Sequence, residues 1–111
     1  MILAKTFVSG VAITDSAEIY YTTPLKTRGL IKNAVFVNDN DTSVTISINI
    51  VAYGGTALYT NRIVKDKTLP GNGSWICSAL VDQVINPYSS IVMIASVTNK
   101  VGCSISGFEI T

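Results

Sequence analysis

Hydrophobic and polar residues alternate along most of this chain, and the alternation is clearest in the segment 44–53. One side of that segment carries the apolar residues Val44, Ile46, Ile48 and Ile50. A period of two residues is that of a strand with one buried face, and it excludes a helix. The preceding segment 29–38 is also strand-like but apolar on both sides, and a polar turn, 38–42, separates the two. The pattern therefore predicts a hairpin over 29–53 with one face committed to a core.

Further strands are predicted wherever short apolar segments lie between turn signals. These segments are 2–13, 17–22, 61–69, 74–77, 91–98 and 103–110. Residues 78–85 alone have helical spacing, so at most one short helical turn is expected there, with an extended link as the alternative. In the last strand the apolar phase changes at Gly107, which predicts a β-bulge that returns Phe108 and Ile110 to the inward face.

Seven to nine short strands with almost no helix predict an all-β fold, an antiparallel β-sandwich of jelly-roll or Ig-like type. The 111 residues are expected to form a single domain, 1–111. Residues 1–13 are either an N-terminal arm lying on a neighbouring subunit or a first edge strand. The hairpins 29–53 and 91–110 are expected to be equivalent halves of two packed sheets.

Charged residues make up 14% of the chain, against about 25% in average soluble domains. A surface with so little charge is expected to be covered in part by other subunits, which predicts a homo-oligomer. The alternative is a monomer whose surface is wetted by its many Ser, Thr and Asn residues. The candidate subunit-interface residues are Phe7, Val8, Phe36 and Trp75.

The distribution of charge and the lengths of the apolar runs argue against nucleic-acid and membrane partners. Eight basic and seven acidic residues are interspersed, with a net charge of +1, so no nucleic-acid partner is expected. The longest uninterrupted apolar run, 91–95, is far shorter than the roughly 20 residues that span a bilayer. Because the N-terminus also lacks the pattern of a signal peptide, no membrane partner is expected.

No constellation of catalytic or metal-binding residues is visible. Histidine, the commonest general base and metal ligand, is absent. Asp39 and Asp41 lie in one polar turn that lacks the glycine and distal glutamate of a calcium loop. The expectation is a protein that is not an enzyme and has no cofactor, no metal and no catalytic residue.

The cysteines and the aromatic residues each leave an alternative open. Cys77 and Cys103 lie among apolar residues without CxxC spacing, so buried free thiols are favoured over a disulfide. The aromatic side chains could form a platform on which sugars stack, although packing in a core or interface is favoured. A carbohydrate-binding or host-adsorption module is therefore the alternative function. The side chains concerned are Tyr20, Tyr21, Tyr53, Tyr59, Trp75 and Tyr88.

Several short motifs between residues 17 and 110 carry a resemblance. They are Tyr21-Thr22-Thr23-Pro24, Leu30-Ile31-Lys32 leading to Val37-Asn38, Gly54-Gly55-Thr56, Asn61-Arg62-Ile63, Leu69-Pro70-Gly71-Asn72-Gly73 and Ile105-Ser106-Gly107-Phe108-Glu109-Ile110. Together they resemble the small structural proteins of tailed bacteriophage particles. The chain departs from that family at Pro87-Tyr88-Ser89-Ser90, where the family tends to place a Gly-Asp turn, and in its more apolar N-terminal segment.

The resemblance implies a component of the virion without enzymatic activity. Its position would be that of a head decoration protein, a neck or head–tail protein, or a tail protein. The resemblance also implies assembly in the host cytoplasm, with capsid, neck or tail proteins as partners. Such a subunit acts by self-assembly and by docking on other virion proteins.

Overall fold

The structure, a computed structural model, describes residues 1–111, and its regular secondary structure is almost entirely strand. One short 3₁₀ turn, Tyr59–Asn61, is the only helical element. The strands are β1 (Ile2–Ala12), β2 (Glu18–Thr22), β3 (Arg28–Asn38), β4 (Val44–Val51), β5 (Arg62–Leu69), β6 (Ser74–Ile76), β7 (Val84–Ile85), β8 (Ser90–Ala95) and β9 (Val101–Ile110). The predicted all-β sandwich is confirmed.

Two antiparallel sheets pack against each other. The front sheet has the strand order β1-β9-β3-β6, and β7 also pairs with β3. The back sheet has the order β2-β8-β4-β5. Residues 2–12 thus form an edge strand of the front sheet, β1, which pairs with β9 along its length.

The strand pairing is nested, as in one long ribbon that has been rolled up. β1 pairs with β9, β2 with β8, β3 with β6 and β7, and β4 with β5. This is the pairing of a jelly roll, in which two Greek keys close a sandwich. Of the two sandwich types expected from the sequence, the structure is therefore the jelly roll.

The two predicted hairpins were wrong as pairings, although their strands lie where the sequence predicts them. β3 belongs to the front sheet and β4 to the back sheet, and β8 and β9 are divided in the same way. Each connection therefore crosses the sandwich. Alternation shows which side of a strand faces the core, but both sheets face the same core, so alternation alone cannot distinguish a hairpin from a crossing.

The core lies between the sheets and is filled from alternate positions of the strands. Of the predicted inward residues of β4, Val44, Ile46 and Ile48 are at most 1% exposed, and Ile50 is partly buried against the core. Burial of such side chains stabilises the fold by about 1.5–3 kcal/mol each. The largest buried side chains are Val8, Ile13, Ile31, Phe36, Ile46, Ile48, Leu69, Leu80, Ile85, Ile91, Met93 and Ile105.

The predicted return of Phe108 and Ile110 to the inward face was wrong. The alternation of β9 continues through Gly107, so Glu109 reaches across to Tyr21 of β2 while Phe108 and Ile110 remain exposed. The register shifts nearest to Gly107 lie on the two neighbouring strands instead. One is between Thr6 and Val8 of β1, and the other is between Ile31 and Asn33 of β3. A bulge on a partner strand shifts the partner's phase and leaves that of β9 unchanged.

Of the two possibilities expected for 78–85, a short helical turn or an extended link, the helical turn does not form. This segment forms turns followed by β7, and it is tied to β3 by two backbone hydrogen bonds. Asp82 N–H donates to Ile31 O at 2.7 Å, and Ile31 N–H donates to Gln83 O at 3.0 Å. An isolated helix of eight residues is barely stable, so pairing with the existing sheet is favoured.

Candidate functional site

The four side chains that the sequence suggests for a subunit interface lie in or against the core of the subunit. Phe7, Val8 and Phe36 are at most 6% exposed. Trp75 is partly buried, with its ring centroid 5.6 Å from that of Phe36 and the Lys67 amine 5.3 Å above the indole. Phe7, Val8 and Phe36 therefore leave almost no surface for a partner, and Trp75 leaves only part of its ring.

The outer face of the front sheet carries apolar side chains instead. The strand register places Phe108 of β9 between Ala4 of β1 and Leu30 of β3, and Leu30 lies beside Val84 of β7. Val84 is 50% exposed and Phe108 is 37% exposed. We call this surface the front patch; it comprises Ile2, Leu30, Val84, Phe108 and Ile110.

The back sheet has an open groove of about 530 Å³ on its outer face. Side chains of β2, β4 and β8 form its floor, and the loop that follows β4 forms one wall. The lining residues, which we call the back groove, are Ala17, Ile19, Thr22, Val51, Ala52, Tyr53, Gly54, Gly55, Thr56, Ala57, Tyr88, Ser90 and Val92.

Two tyrosines stand together in the back groove. The rings of Tyr53 and Tyr88 have centroids 5.1 Å apart and planes inclined by 37°. The register explains this contact, because Val51 and Ser90 form the last pair between β4 and β8, and each tyrosine lies two residues beyond. Both rings remain accessible, with Tyr53 76% and Tyr88 41% exposed.

Two amide side chains, the buried Asn49 and the partly buried Asn61, hold the wall of the back groove. Asn49 Nδ2 on β4 donates to Asn61 Oδ1 at 2.7 Å and to Leu58 O at 2.9 Å. Asn61 Nδ2 in turn donates to Thr56 O at 2.8 Å. The loop turns at Gly54, whose φ of +76° is in the region that glycine adopts readily. The groove is thus preformed by contacts within the chain.

The sequence shows the aromatic residues only as a set and does not show which of them meet. Tyr20 and Tyr21 are partly buried against the core, and Tyr59 is 82% exposed outside the groove. Tyr53 and Tyr88 are 35 positions apart and are brought together only by the β4–β8 register. A correct pairing of those strands was the signal that would have found the groove.

Three titratable side chains in or near the core, Tyr21, Cys77 and Cys103, have raised pKa values. Tyr21 Oη donates to Glu109 Oε2 at 2.6 Å, and burial, followed by this hydrogen bond, raises the pKa of Tyr21. Both cysteines are buried and free, as predicted. Burial raises the pKa of Cys77, and burial together with the nearby Cys77 raises that of Cys103 to about 12.

The remaining polar clusters give no further site. No group of three or more Cys, Asp and Glu side chains is placed to hold a metal ion. In the acidic turn 38–42, the Asn38 side chain bonds to backbone groups. The one ion pair, Lys32 with Asp82 at 2.5 Å, is exposed, and such pairs contribute little stability. The structure contains no helix with the length and apolar character needed to cross a membrane.

Comparison of the sequence with protein-family models and with curated proteins gave no match. Among solved structures, the fold is similar to a chain in the structure of the Gx strain of infectious bursal disease virus. The TM-score is 0.53 and the sequence identity 14%, and the match covers 98% of this chain and 31% of the viral chain. The likeness shows a shared fold, and this chain spans about a third of the length of its viral counterpart.

Proposed function

We propose that this protein is a non-enzymatic structural subunit of a bacteriophage particle, located on the head surface, at the neck or head–tail junction, or in the tail. The observation that carries this proposal is the front patch. Its exposed apolar side chains lie side by side on the outer face of a jelly roll that contains few charges. Apolar surface of this kind is stabilised when another subunit covers it.

Two further observations support a role in a virion. The jelly roll is an architecture of many viral shell proteins, and a chain from a virus structure has the same fold. The short motifs between residues 17 and 110 resemble those of small structural proteins of tailed bacteriophages. The fold thus agrees with the resemblance, whereas the bacteriophage assignment rests on the motifs.

The subunit's internal packing explains how it would act. Its core is filled by its own side chains, so assembly does not require the sandwich to open. Contacts made by the outer face of the front sheet can then repeat from copy to copy, and many weak contacts add up under symmetry. Other virion proteins are the proposed second class of partner, and the particle is assembled in the host cytoplasm.

The test is the oligomeric state of the purified protein at tens of micromolar, measured by light scattering and native mass spectrometry. We expect a defined oligomer, and three, five, six or twelve copies would indicate different positions in a particle. Phe108→Asp should convert it to monomers, because a buried unpaired carboxylate replaces an aromatic contact. The expected loss is about 2–4 kcal/mol per interface.

Ser104→Asp is the matched control, because Ser104 is exposed on the same outer face of β9 but lies outside the front patch. This variant should retain the oligomer. A wild-type protein that is monomeric at these concentrations would contradict self-assembly. An oligomer that survives Phe108→Asp would show that a different surface makes the contact.

A further inference from the structure

The back groove has properties that the proposed assembly role does not use. We propose that it binds a neutral oligosaccharide, with Tyr53 and Tyr88 as the stacking platform. The front patch and the back groove lie on opposite faces of the sandwich, so one subunit can be held in a particle by the first and present the second to solvent. The inference therefore stands independently of the proposed assembly.

The charge of the lining selects the class of ligand. None of the lining residues is Lys, Arg, Asp or Glu. A charged ligand would lose hydration in the groove without meeting an opposite charge, so a neutral ligand is favoured. The volume of about 530 Å³ lies within the range of about 300–1,000 Å³ for small-molecule sites.

The chemical groups of the lining match a sugar. A sugar ring offers an apolar face of C–H bonds and a rim of hydroxyls, so it is bound by aromatic rings together with neutral hydrogen-bonding groups. Tyr53 and Tyr88 supply the rings. On the groove floor, the hydroxyls of Thr22 and Ser90 lie 2.9 Å apart, and each can make further hydrogen bonds.

The backbone of Tyr88 provides an independent observation. Its φ is +60°, a conformation that costs a bulky side chain energy and that glycine would adopt without strain. Hydrogen bonds fix this conformation, since Tyr88 N–H donates to Thr23 O at 3.0 Å and Ser89 N–H donates to Asn86 O at 3.0 Å. Among the six non-glycine residues with a positive φ, Tyr88 is the only one that lines the back groove. Strain retained at such a position supports a binding role.

The experiment has two steps. A glycan array with neutral and charged glycans identifies the ligand, and titration of the corresponding trisaccharide into ¹⁵N-labelled protein locates it. We expect binding to neutral glycans, with shifts concentrated at the amides of Gly54, Gly55 and Ser90. Binding only to charged glycans, or no binding to any glycan at millimolar concentration, would overturn the proposal.

Variants of the two tyrosines separate binding from folding. Tyr53→Ala and Tyr88→Gly should each lower the affinity roughly tenfold or more, because each removes one aromatic contact. Tyr88→Gly also relieves the positive φ, so its urea midpoint should equal or exceed that of the wild type. Tyr59→Ala, which changes an exposed tyrosine outside the groove, should bind normally.

Two outcomes of these measurements would refute the site. Unchanged affinity in both groove variants would show that glycans bind elsewhere. A change of oligomeric state in Tyr53→Ala, without glycan binding by the wild type, would show that the groove is covered by a second copy. Phe108→Asp should leave glycan binding intact, so failure of the assembly proposal remains distinguishable from failure of this one.

Discussion

At the scale of single residues, Asn38 fixes the corner where the chain leaves β3 and crosses to the back sheet. Its side chain is fully buried. Nδ2 lies 3.0–3.1 Å from the carbonyl oxygens of Thr42, Leu69 and Pro70, and Oδ1 accepts the Asn40 N–H at 2.9 Å. One amide thus joins the β3–β4 crossing to the β5–β6 turn.

Asn38→Ala should destabilise the protein by about 1–3 kcal/mol, because buried carbonyl groups lose their donor. The measurement is equilibrium unfolding in urea. Asn33→Ala, on the same strand but exposed, is the control and should change stability by less than about 0.5 kcal/mol. Equal effects of the two substitutions would contradict the role assigned to Asn38.

At the residue scale, sequence alone could predict burial only in part. In β4, alternation identified the core-facing residues Val44, Ile46 and Ile48 correctly, but Ser47 and Asn49 on the polar side of the strand are buried as well. In β3 both sides are apolar, and Phe36, a candidate for the interface, lies in the core, whereas Val37 is exposed. Nothing in the side-chain types of β3 distinguishes its two faces, because both carry apolar residues and only one of them faces the core.

At the scale of secondary-structure elements, Gly107 allows β9 to lie close to β3. A Cβ at this position would collide with the backbone carbonyl oxygen of Leu30. The close approach occurs where the register between β3 and β9 shifts, between Ile31 and Asn33 of β3. Glycine is therefore needed here for space, since the neighbouring atom is backbone and cannot rotate away.

Gly107→Ala should destabilise the protein by about 1–3 kcal/mol or more, because the two strands must separate to admit the methyl group. Gly102→Ala is the matched control on the same strand, since a Cβ there meets no atom within 4 Å. Thermal unfolding followed by circular dichroism distinguishes them. A Gly107 variant as stable as the Gly102 variant would show that β9 shifts without cost.

The elements themselves were predictable from sequence, whereas their pairing was not. Strand positions follow from local alternation and from turn residues such as those of Pro70–Gly73. The choice between a hairpin and a crossing for 29–53 depends on the pairing of β3 with β9 and of β4 with β8, and both partners are distant in sequence. Local patterns carry no information about those contacts, so both predicted hairpins failed.

At the scale of the whole molecule, the buried titratable groups predict how stability depends on pH. An unfolded cysteine ionises at a pKa of about 8.5, whereas burial raises that of Cys103 to about 12. The pKa values of Cys77 and Tyr21 are also raised. The contribution of Cys103 to stability is full below about pH 8.5 and is lost as the pH rises toward 12, because the unfolded chain releases a proton that the folded chain retains. The contribution of Cys77 begins to fall at the same pH, whereas that of Tyr21 falls only above about pH 10, where an unfolded tyrosine ionises.

The free energy of unfolding should therefore fall above about pH 9, by at most about 1.4 kcal/mol per pH unit for each group. Urea unfolding between pH 7 and pH 11 measures this decline. In Cys103→Ala the decline should be shallower, whatever the variant's stability at pH 7. The same slope in both proteins would assign the decline to other groups.

The jelly roll was only one of two sandwich types expected from the sequence. Both types have short alternating strands, and they differ in which strands pair. That difference also creates both surfaces on which the proposed functions rest, because it places Tyr53 beside Tyr88 and gathers the front patch from four strands. Neither surface could be assembled from sequence without the strand order.

The central position of β9 has a consequence for synthesis on the ribosome. β9 lies between β1 and β3, and β8 lies between β2 and β4, so both sheets lack a central strand until residues 90–110 have been made. Until then the inward side chains of β1 and β3, among them Phe7 and Phe36, have no complete sheet to cover them. Folding dominated by such distant pairings is slow, and unpaired apolar strands aggregate readily. The nascent chain is therefore most exposed to aggregation just before these last two strands emerge.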